Sequence, residues 1–383
     1  MHMARLCADP PRPLALTVRP ARHPNNMIHF CTHFDQNYLS RGLLLLDSLR
    51  THCKAFHLHI VCLDDFTHHF LTERADPEVT CIPVAEVERW APELADCKKK
   101  RSLSEYCYTL SPFVPLYLLR QHPHLDFVCS MDADLCFYQD PAVLFADFDP
   151  YSILITAHNF ADYLMEDRLK TGVYNVCFQA FRNDPTGLAC LEKWRQQCTA
   201  WCYAHYDALH NRFADQKYWE DWPTDFEGRV KVLNGPSVNL AIWNTNSYRI
   251  HQEQGKLLAD GQLVVFYHFH GLHLLSERWV GNTFHWYRTR PQKVLVKNVY
   301  LPYLSRLLDW EKTLAKAGRP RHSVSRHPFP MKVLIAGAVF FLHRPSHIVY
   351  LNCNWCYQFY SNLKQTLWPA KSIFRPLPTT EAT

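Results

Sequence analysis

Asp132 and Asp134, in the run Phe127-Val-Cys-Ser-Met-Asp-Ala-Asp134, are two carboxylates one residue apart at the end of an apolar segment. In an extended chain alternate side chains share a face, so both can point to one place where strand gives way to loop. The carboxyl ends of parallel strands are where α/β sheets bind ligands. Two hard oxygen donors there suit Mg²⁺ or Mn²⁺, with a diphosphate and water filling the remaining coordination positions. The pair alone is weak evidence, because 22 aspartates in 383 residues generate about one Asp-x-Asp by chance. Asp147-Phe-Asp149 is a second such pair. It follows no clear strand exit and precedes Pro150, which predicts a turn or a helix cap.

Four other segments place polar groups at predicted strand exits or loops. Thr32-His-Phe-Asp-Gln-Asn-Tyr38 follows a strand pattern, and Tyr174-Asn-Val-Cys177 sets an asparagine in an apolar run. Ala214-Asp-Gln-Lys217 pairs an acid with an amide, and Val264-Val-Phe-Tyr-His-Phe-His-Gly271 ends an apolar run in two histidines. Each has a plainer reading. Asp35 or Asn37 can cap a helix, a buried Asn175 needs structural partners, and Asp215-Gln216 can begin a solvated helix.

In this order the motifs resemble the GT-A nucleotide-sugar transferases, most closely the retaining family 8 type and a related, poorly characterised bacterial group. The resemblance covers about residues 27 to 275. It implies an α/β GT-A (Rossmann-like nucleotide-diphospho-sugar transferase) fold with a mainly parallel central sheet. It further implies a metal-dependent glycosyltransferase, hexosyltransferase-like, with a UDP-sugar as the favoured donor and a glycan or lipid-linked acceptor. Asp35 and Asn37 would then bind base or ribose, with Tyr38 and the backbone near His33 shaping the slot. Asn175 would lie beside the donor sugar. Gln216 would sit under its β face and Asp215 would bind its hydroxyls, both at the catalytic centre. His268 would be the third ligand of the Mn²⁺ or Mg²⁺ held by Asp132 and Asp134, with His270 an adjacent polar candidate.

Three positions depart from the family pattern. Cys177 replaces a glycine, Lys217 replaces a second aspartate, and Leu272-His-Leu274 replaces a Lys-Pro-Trp whose lysine grips the diphosphate. Arg278 or the Lys98–Arg101 cluster, Arg101 included, could substitute for that lysine, although a short charge run is more often a solvated loop. The resemblance also implies front-face attack with retention. Asp162, Glu166 and Asp167 are the carboxylates on which an inverting mechanism could draw. Two rivals remain: a nucleotidyltransferase, disfavoured by the lack of glycine and lysine in Thr32–Asn37, and a non-catalytic sugar or glycolipid binding module.

The elements that must position these groups follow from periodicity. Strands are expected at Met27–Cys31, Phe56–Leu63, Val79–Val84, Asp126–Met131, Ser152–Thr156, Tyr174–Phe181 and Leu263–His268. Helices are expected from Leu39, over Ser111–Arg120 and over Pro185–Tyr206, and Thr32–Asn37 is expected to be a polar loop. The alternation predicts a mainly parallel sheet. Residues 1–26, rich in Pro, Arg and His, read as a disordered or mis-start leader. Residues 27–290 form the expected catalytic domain, and 291–383 an accessory region with a basic, aromatic tail. A net charge of +5 is too mild to suggest a nucleic-acid partner but suits an anionic ligand or membrane surface. The tail, including Trp355, Tyr357, Phe359 and Tyr360, makes peripheral membrane contact an option. Fifteen cysteines without framework spacing, Cys353-Asn-Trp-Cys356 among them, read as free thiols. With no apolar run of membrane-spanning length, they point to a cytoplasmic protein.

Overall fold

In the computed structural model, the described residues are 27–274, 279–282, 284, 286–289, 292–320, 339–344 and 347–352. The leader 1–26 and the tail aromatics Trp355, Tyr357, Phe359 and Tyr360 lie outside them, as do Arg278, Cys353 and Cys356. Two compact units emerge: residues 1–270 with 291–320, and residues 271–290 with 321–383.

The first unit is built on a seven-stranded sheet. Its strands are β1 (Ile28–Phe34), β2 (Phe56–Cys62), β3 (Val79–Pro83), β4 (Phe127–Met131), β6 (Ile153–Ala157), β7 (Tyr174–Arg182) and β8 (Val230–Leu233). They are ordered β3-β2-β1-β4-β7-β6-β8. All neighbouring pairs are parallel except those of β7, which runs against β4 and β6. The fold is therefore α/β with a mostly parallel central sheet. Most strands are apolar on both faces, as a sheet covered on both sides requires. One face carries Phe30, Leu58, Ile60 and Cys129 onto α1 (Leu39–His52). The other carries Cys31, Val61, Ile82 and Val128 onto a second helical layer. That layer holds α3 (Val84–Trp90), α4 (Leu94–Lys100), α5 (Leu103–Leu110), α6 (Phe113–Gln121) and, beyond the short α7 (Met165–Thr171), α8 (Pro185–Ala200). Helix α2 (Asp65–Arg74) links β2 to β3.

A second small sheet of β5 (Leu135–Phe137), β9 (Leu240–Ala241) and β13 (Phe266–His268) crosses the carboxyl edge of β4. Between β9 and β13 runs a meander of β10 (Ile250–Glu253), β11 (Lys256–Ala259) and β12 (Gln262–Leu263). The helix Leu301–Lys316 belongs to the first unit, where its buried face of Tyr303, Leu304, Leu307, Leu308 and Leu314 joins α1. Arg306 and Trp310 both reach Asp47 of α1, at 2.8 and 3.2 Å. The second unit contributes an antiparallel sheet of β14 (Leu272–Leu274), β15 (Trp279–Asn282), β16 (Val339–Arg344) and β17 (His347–Asn352).

Some expectations shift. Thr32, His33 and Phe34 continue β1 instead of opening a loop, because β2 offers ladder partners as far as Cys62. α8 ends at Ala200, short of Tyr206. Asp147 and Asp149 fall in turns after Phe145, and Asp149 pairs with Arg182 at 2.9 Å. The twelve described cysteines are free. Among the described residues, no helix is long and apolar enough to cross a membrane.

Candidate metal and substrate site

β4 delivers Met131 to the carboxyl edge of the sheet, and the turn Asp132–Asp134 is fixed on both sides. The Asp132 N–H donates to Cys177 O of β7 at 2.9 Å, and the Phe269 N–H donates to Asp134 O at 3.0 Å. β13 pairs with β5 so that His268 stands opposite Leu135, and with β9 so that it stands opposite Ala241. This register carries His268 to the carboxylates, with Nε2 at 3.2 Å from Asp134 Oδ1 and 3.6 Å from Asp132 Oδ2. One ligand atom from each of the three residues lies within 4.8 Å of the others. Asp134 and His268 are buried, while 45% of the Asp132 side chain faces out. The group is thus walled on one side and open on the other.

The electrostatics favour a cation here. Burial, then the neighbouring charges of Asp134 and Asp215, push the Asp132 carboxyl upward, against the pull of His268. Burial acts in the same direction on Asp134, but His268, His270 and Arg41 outweigh it and hold that carboxyl low. Burial alone would lower His268; the two aspartates reverse this and raise it. Two carboxylates packed together in a cleft repel unless positive charge lies between them. A protonated His268 supplies one such charge, and a divalent ion would supply two. Two carboxylate oxygens and one imidazole nitrogen with an open side fit Mn²⁺ or Mg²⁺.

Asn175 and Gln216 are brought together. Asn175 Nδ2 is 3.1 Å from His158 Nε2 and donates to Gln216 Oε1 at 3.5 Å, while Gln216 Nε2 donates to Thr171 O at 2.8 Å. The Asn175 carbonyl oxygen is buried without a protein partner. Asp215 is buried and its carboxyl is pushed up to about 7 by that burial, partly offset by the Ser111 hydroxyl. The preceding Ala214 adopts φ +46°, a left-handed conformation costly for a side-chain-bearing residue and often found where a functional side chain is aimed. Lys217 is buried against Glu220 at 2.9 Å, so this departure from the family pattern has a local partner. The His270 ring lies 5.7 Å from that of His268.

The first-loop residues are only partly free for a ligand. Asp35 accepts the backbone N–H groups of Asn37 and Tyr38 at 2.9 and 3.2 Å, and the Asn37 amide at 2.6 Å. It shapes the turn before α1, whose N-cap is Tyr38, so neither Asp35 nor Asn37 is the cap itself. His33 is tied to Cys107 O at 2.9 Å, and burial lowers its pKa to about 4. Tyr38 and Tyr108 stay partly exposed, and Asp132 bears on the hydroxyl of each. Arg101 donates to Thr109 and Thr199 O, and its guanidinium lies 5.5 Å from the centre of the Tyr203 ring. Its donors hold α5 to α8.

Two groups escaped the sequence reading. Arg41 is buried in α1, donates to Asn37 O at 3.1 Å, lies 4.5 Å over the Tyr38 ring and helps to hold Asp134 ionised. Nothing in a leucine-rich helical pattern marks an arginine as buried. The second is the segment Asn239-Leu-Ala-Ile-Trp-Asn244. Trp243 Nε1 and Asn244 Nδ2 both donate to His158 O, at 2.7 and 3.1 Å, and the Trp243 ring sits edge-on to His268 at 5.3 Å. Cys177 Sγ lies 3.4 Å from Asn239 Oδ1.

No family model matches the chain. It is similar to the uncharacterized protein YfnD of Bacillus subtilis (strain 168), with 30% identity over 282 residues, 74% of this chain and 89% of YfnD. It is also similar to the uncharacterized protein YfnF of the same organism, with 28% identity over 292 residues, 74% of this chain and 94% of YfnF. Among solved structures it is similar to mouse xyloside xylosyltransferase 1, with TM-score 0.40 and 16% identity over 63% of this chain and 97% of that one. It is likewise similar to a glycosyltransferase involved in glycosylation of the major capsid of PBCV-1, with TM-score 0.39 and 10% identity over 64% and 93% of the two chains.

Proposed function

Starting from a chain that belongs to the family of Bacillus subtilis YfnD, we propose a metal-dependent glycosyltransferase acting on a nucleotide-diphospho-sugar, with a UDP-sugar the favoured donor. The observation that carries this reading is the convergence of Asp132, Asp134 and His268 at the exit of β4, with one side open. These three residues would hold Mn²⁺ or Mg²⁺. When bound, such an ion neutralises the negative charge that gathers on a departing diphosphate.

The remaining roles fall to the protein itself. Arg41 supplies the positive charge that the Leu272–Leu274 segment lacks, beside Asp134 and next to the Tyr38 ring. Tyr38 and Tyr108 offer exposed aromatic surface for the nucleoside. Asn175, whose side-chain carbonyl has no protein partner, would face the donor sugar, and the amide oxygen of Gln216, held through Thr171 O and Asn175, would lie beside it. A carbonyl oxygen there steadies an anomeric carbon that becomes cationic as the leaving group departs. Asp215 orients sugar hydroxyls. Attack from the front face with retention is the proposed course, the acceptor being a glycan or a lipid-linked glycan.

The test is release of UDP from a panel of UDP-sugars with and without Mn²⁺. Slow Mn²⁺-dependent hydrolysis of one donor is expected. Asp132→Ala or Asp134→Ala should reduce it by at least about a hundredfold, with the far-ultraviolet circular dichroism unchanged. Normal turnover in either variant would remove the metal assignment. Donor binding without hydrolysis would favour a pure binding module.

A further inference from the structure

The amino end of the same sheet carries a second set of ligating groups that the proposed reaction does not use. His29, the second residue of β1, stands directly opposite His57 in the parallel ladder, and His59 follows two residues along β2 on the same face. α6 ends at Gln121, His122 is its C-cap, and His124 lies just beyond. The five rings form one connected patch. Centroid separations are 4.8 Å for His57–His59, 5.5 Å for His29–His59, 5.7 Å for His59–His122 and 5.8 Å for His122–His124. His59 is buried, while His29, His57 and His122 are half-buried.

Within the patch, His29 Nδ1 lies 3.2 Å from His59 Nε2. Two nitrogens bound to one tetrahedral Zn²⁺ stand roughly 3.3 Å apart. A simple hydrogen bond between the rings would give the same distance. The far nitrogen of that ring, His59 Nδ1, is buried without a partner in either case. Burial and the neighbouring imidazoles lower His29 to about 4 and His59 to about 3. Both rings are therefore neutral at physiological pH, with lone pairs available to a metal.

We propose that His29 and His59, completed by His57 or His122 and by water, bind a divalent transition-metal ion of the Zn²⁺ and Ni²⁺ class. No third nitrogen stands in ligand position as the rings lie, so one of the half-buried rings turns toward the pair on binding. An all-imidazole set rejects Mg²⁺ and suits Zn²⁺, Ni²⁺ or Cu²⁺. The two ends of the sheet thus differ chemically, with a mixed carboxylate and imidazole group at one and imidazoles alone at the other. From His29 to Phe34 is roughly 16 Å of strand, so this ion is remote from the sugar chemistry. It would clamp β1 to β2 and, where His122 completes the set, to the end of α6.

The probe is Ni²⁺, titrated calorimetrically into the full chain carrying Asp132→Asn and Asp134→Asn, which silences the carboxylate site. Saturable binding with a raised Tm is expected, with Mg²⁺ giving neither. Adding His29→Gln and His59→Gln should weaken Ni²⁺ by more than about tenfold. Unchanged affinity in that variant, or Ni²⁺ binding no tighter than Mg²⁺, overturns the proposal. Should the histidine variant fail to fold, the Cu²⁺ electron-paramagnetic spectrum of the silenced chain decides. Hyperfine structure from two or more imidazole nitrogens supports the site, and an oxygen-only spectrum overturns it.

Discussion

Arg41 is the side chain whose role is most open to measurement. It is buried beside Asp134, and its guanidinium covers one face of Tyr38. If it grips the diphosphate, Arg41→Ala should raise the donor KM by about tenfold or more, corresponding to roughly 1.4 kcal/mol or above. Arg41→Lys should recover only part, because a point charge replaces a planar fork. Steady-state kinetics with Mn²⁺ held saturating separates this from a loss of metal. The carboxylate pair itself was legible from sequence, because a strand exit and a two-residue spacing fix where the side chains go. His268 was legible only by resemblance, since neither spacing nor charge pattern ties it to carboxylates so far back along the chain. What brings it in is the β5–β13 ladder. Arg41 and Trp243 were not legible as site residues, because burial of an arginine and an edge-on ring are decided by tertiary packing.

Elements show where local preference is overruled. Gly187 lies in the first turn of α8, where alanine would ordinarily gain about 1 kcal/mol as the better helix former. A Cβ here would meet Arg182 O at 2.3 Å, and Arg182 belongs to β7, which is held on both sides. Gly187→Ala should therefore destabilise by about 1–3 kcal/mol, read from the urea midpoint. Asp184 caps the same helix through the Gly187 N–H at 2.7 Å, and also meets Ser152 at 2.6 Å and Arg229 at 3.0 Å. Although burial opposes it, these partners hold its carboxyl below the usual value. The stabilisation is thus complete above the unfolded-state pKa and is lost as pH falls through the lower folded one. Asp184→Ala should cost about 1–2 kcal/mol near neutral pH, with the gap to wild type closing in acid denaturation below about pH 4. Six of the seven central strands were readable from apolar runs, and the short, half-buried β8 was not. The reversed direction of β7 was not, because periodicity carries no arrow.

At the level of the whole molecule, the first unit is one stability unit with a ligand site built into its edge. An ion that binds only the folded form adds stability by mass action, about 2.7 kcal/mol at a hundredfold excess over Kd. Mn²⁺ should raise the Tm of the full chain, EDTA should reverse the rise, and Asp134→Asn should abolish it in a thermal-denaturation series. The α/β class followed from alternation. The return of Leu301–Lys316 to α1 was hidden, because an amphipathic helix announces that it will be covered but not by what.

The backward course of β7 has one more consequence. β6 ends and β7 begins at the same edge as the carboxylates, and the His158 N–H bonds Val173 O at 2.9 Å, closing the base of the intervening segment. Residues 159–172, α7 included, are thus a connection with pinned ends at the site's edge, free of any duty to carry the chain across the sheet. Lengthening such a loop is cheap, about 0.6 kcal/mol for each doubling. Relatives can therefore diverge there in what they accept while inheriting the same sheet, so the loop is the natural place to graft one relative's preference onto another.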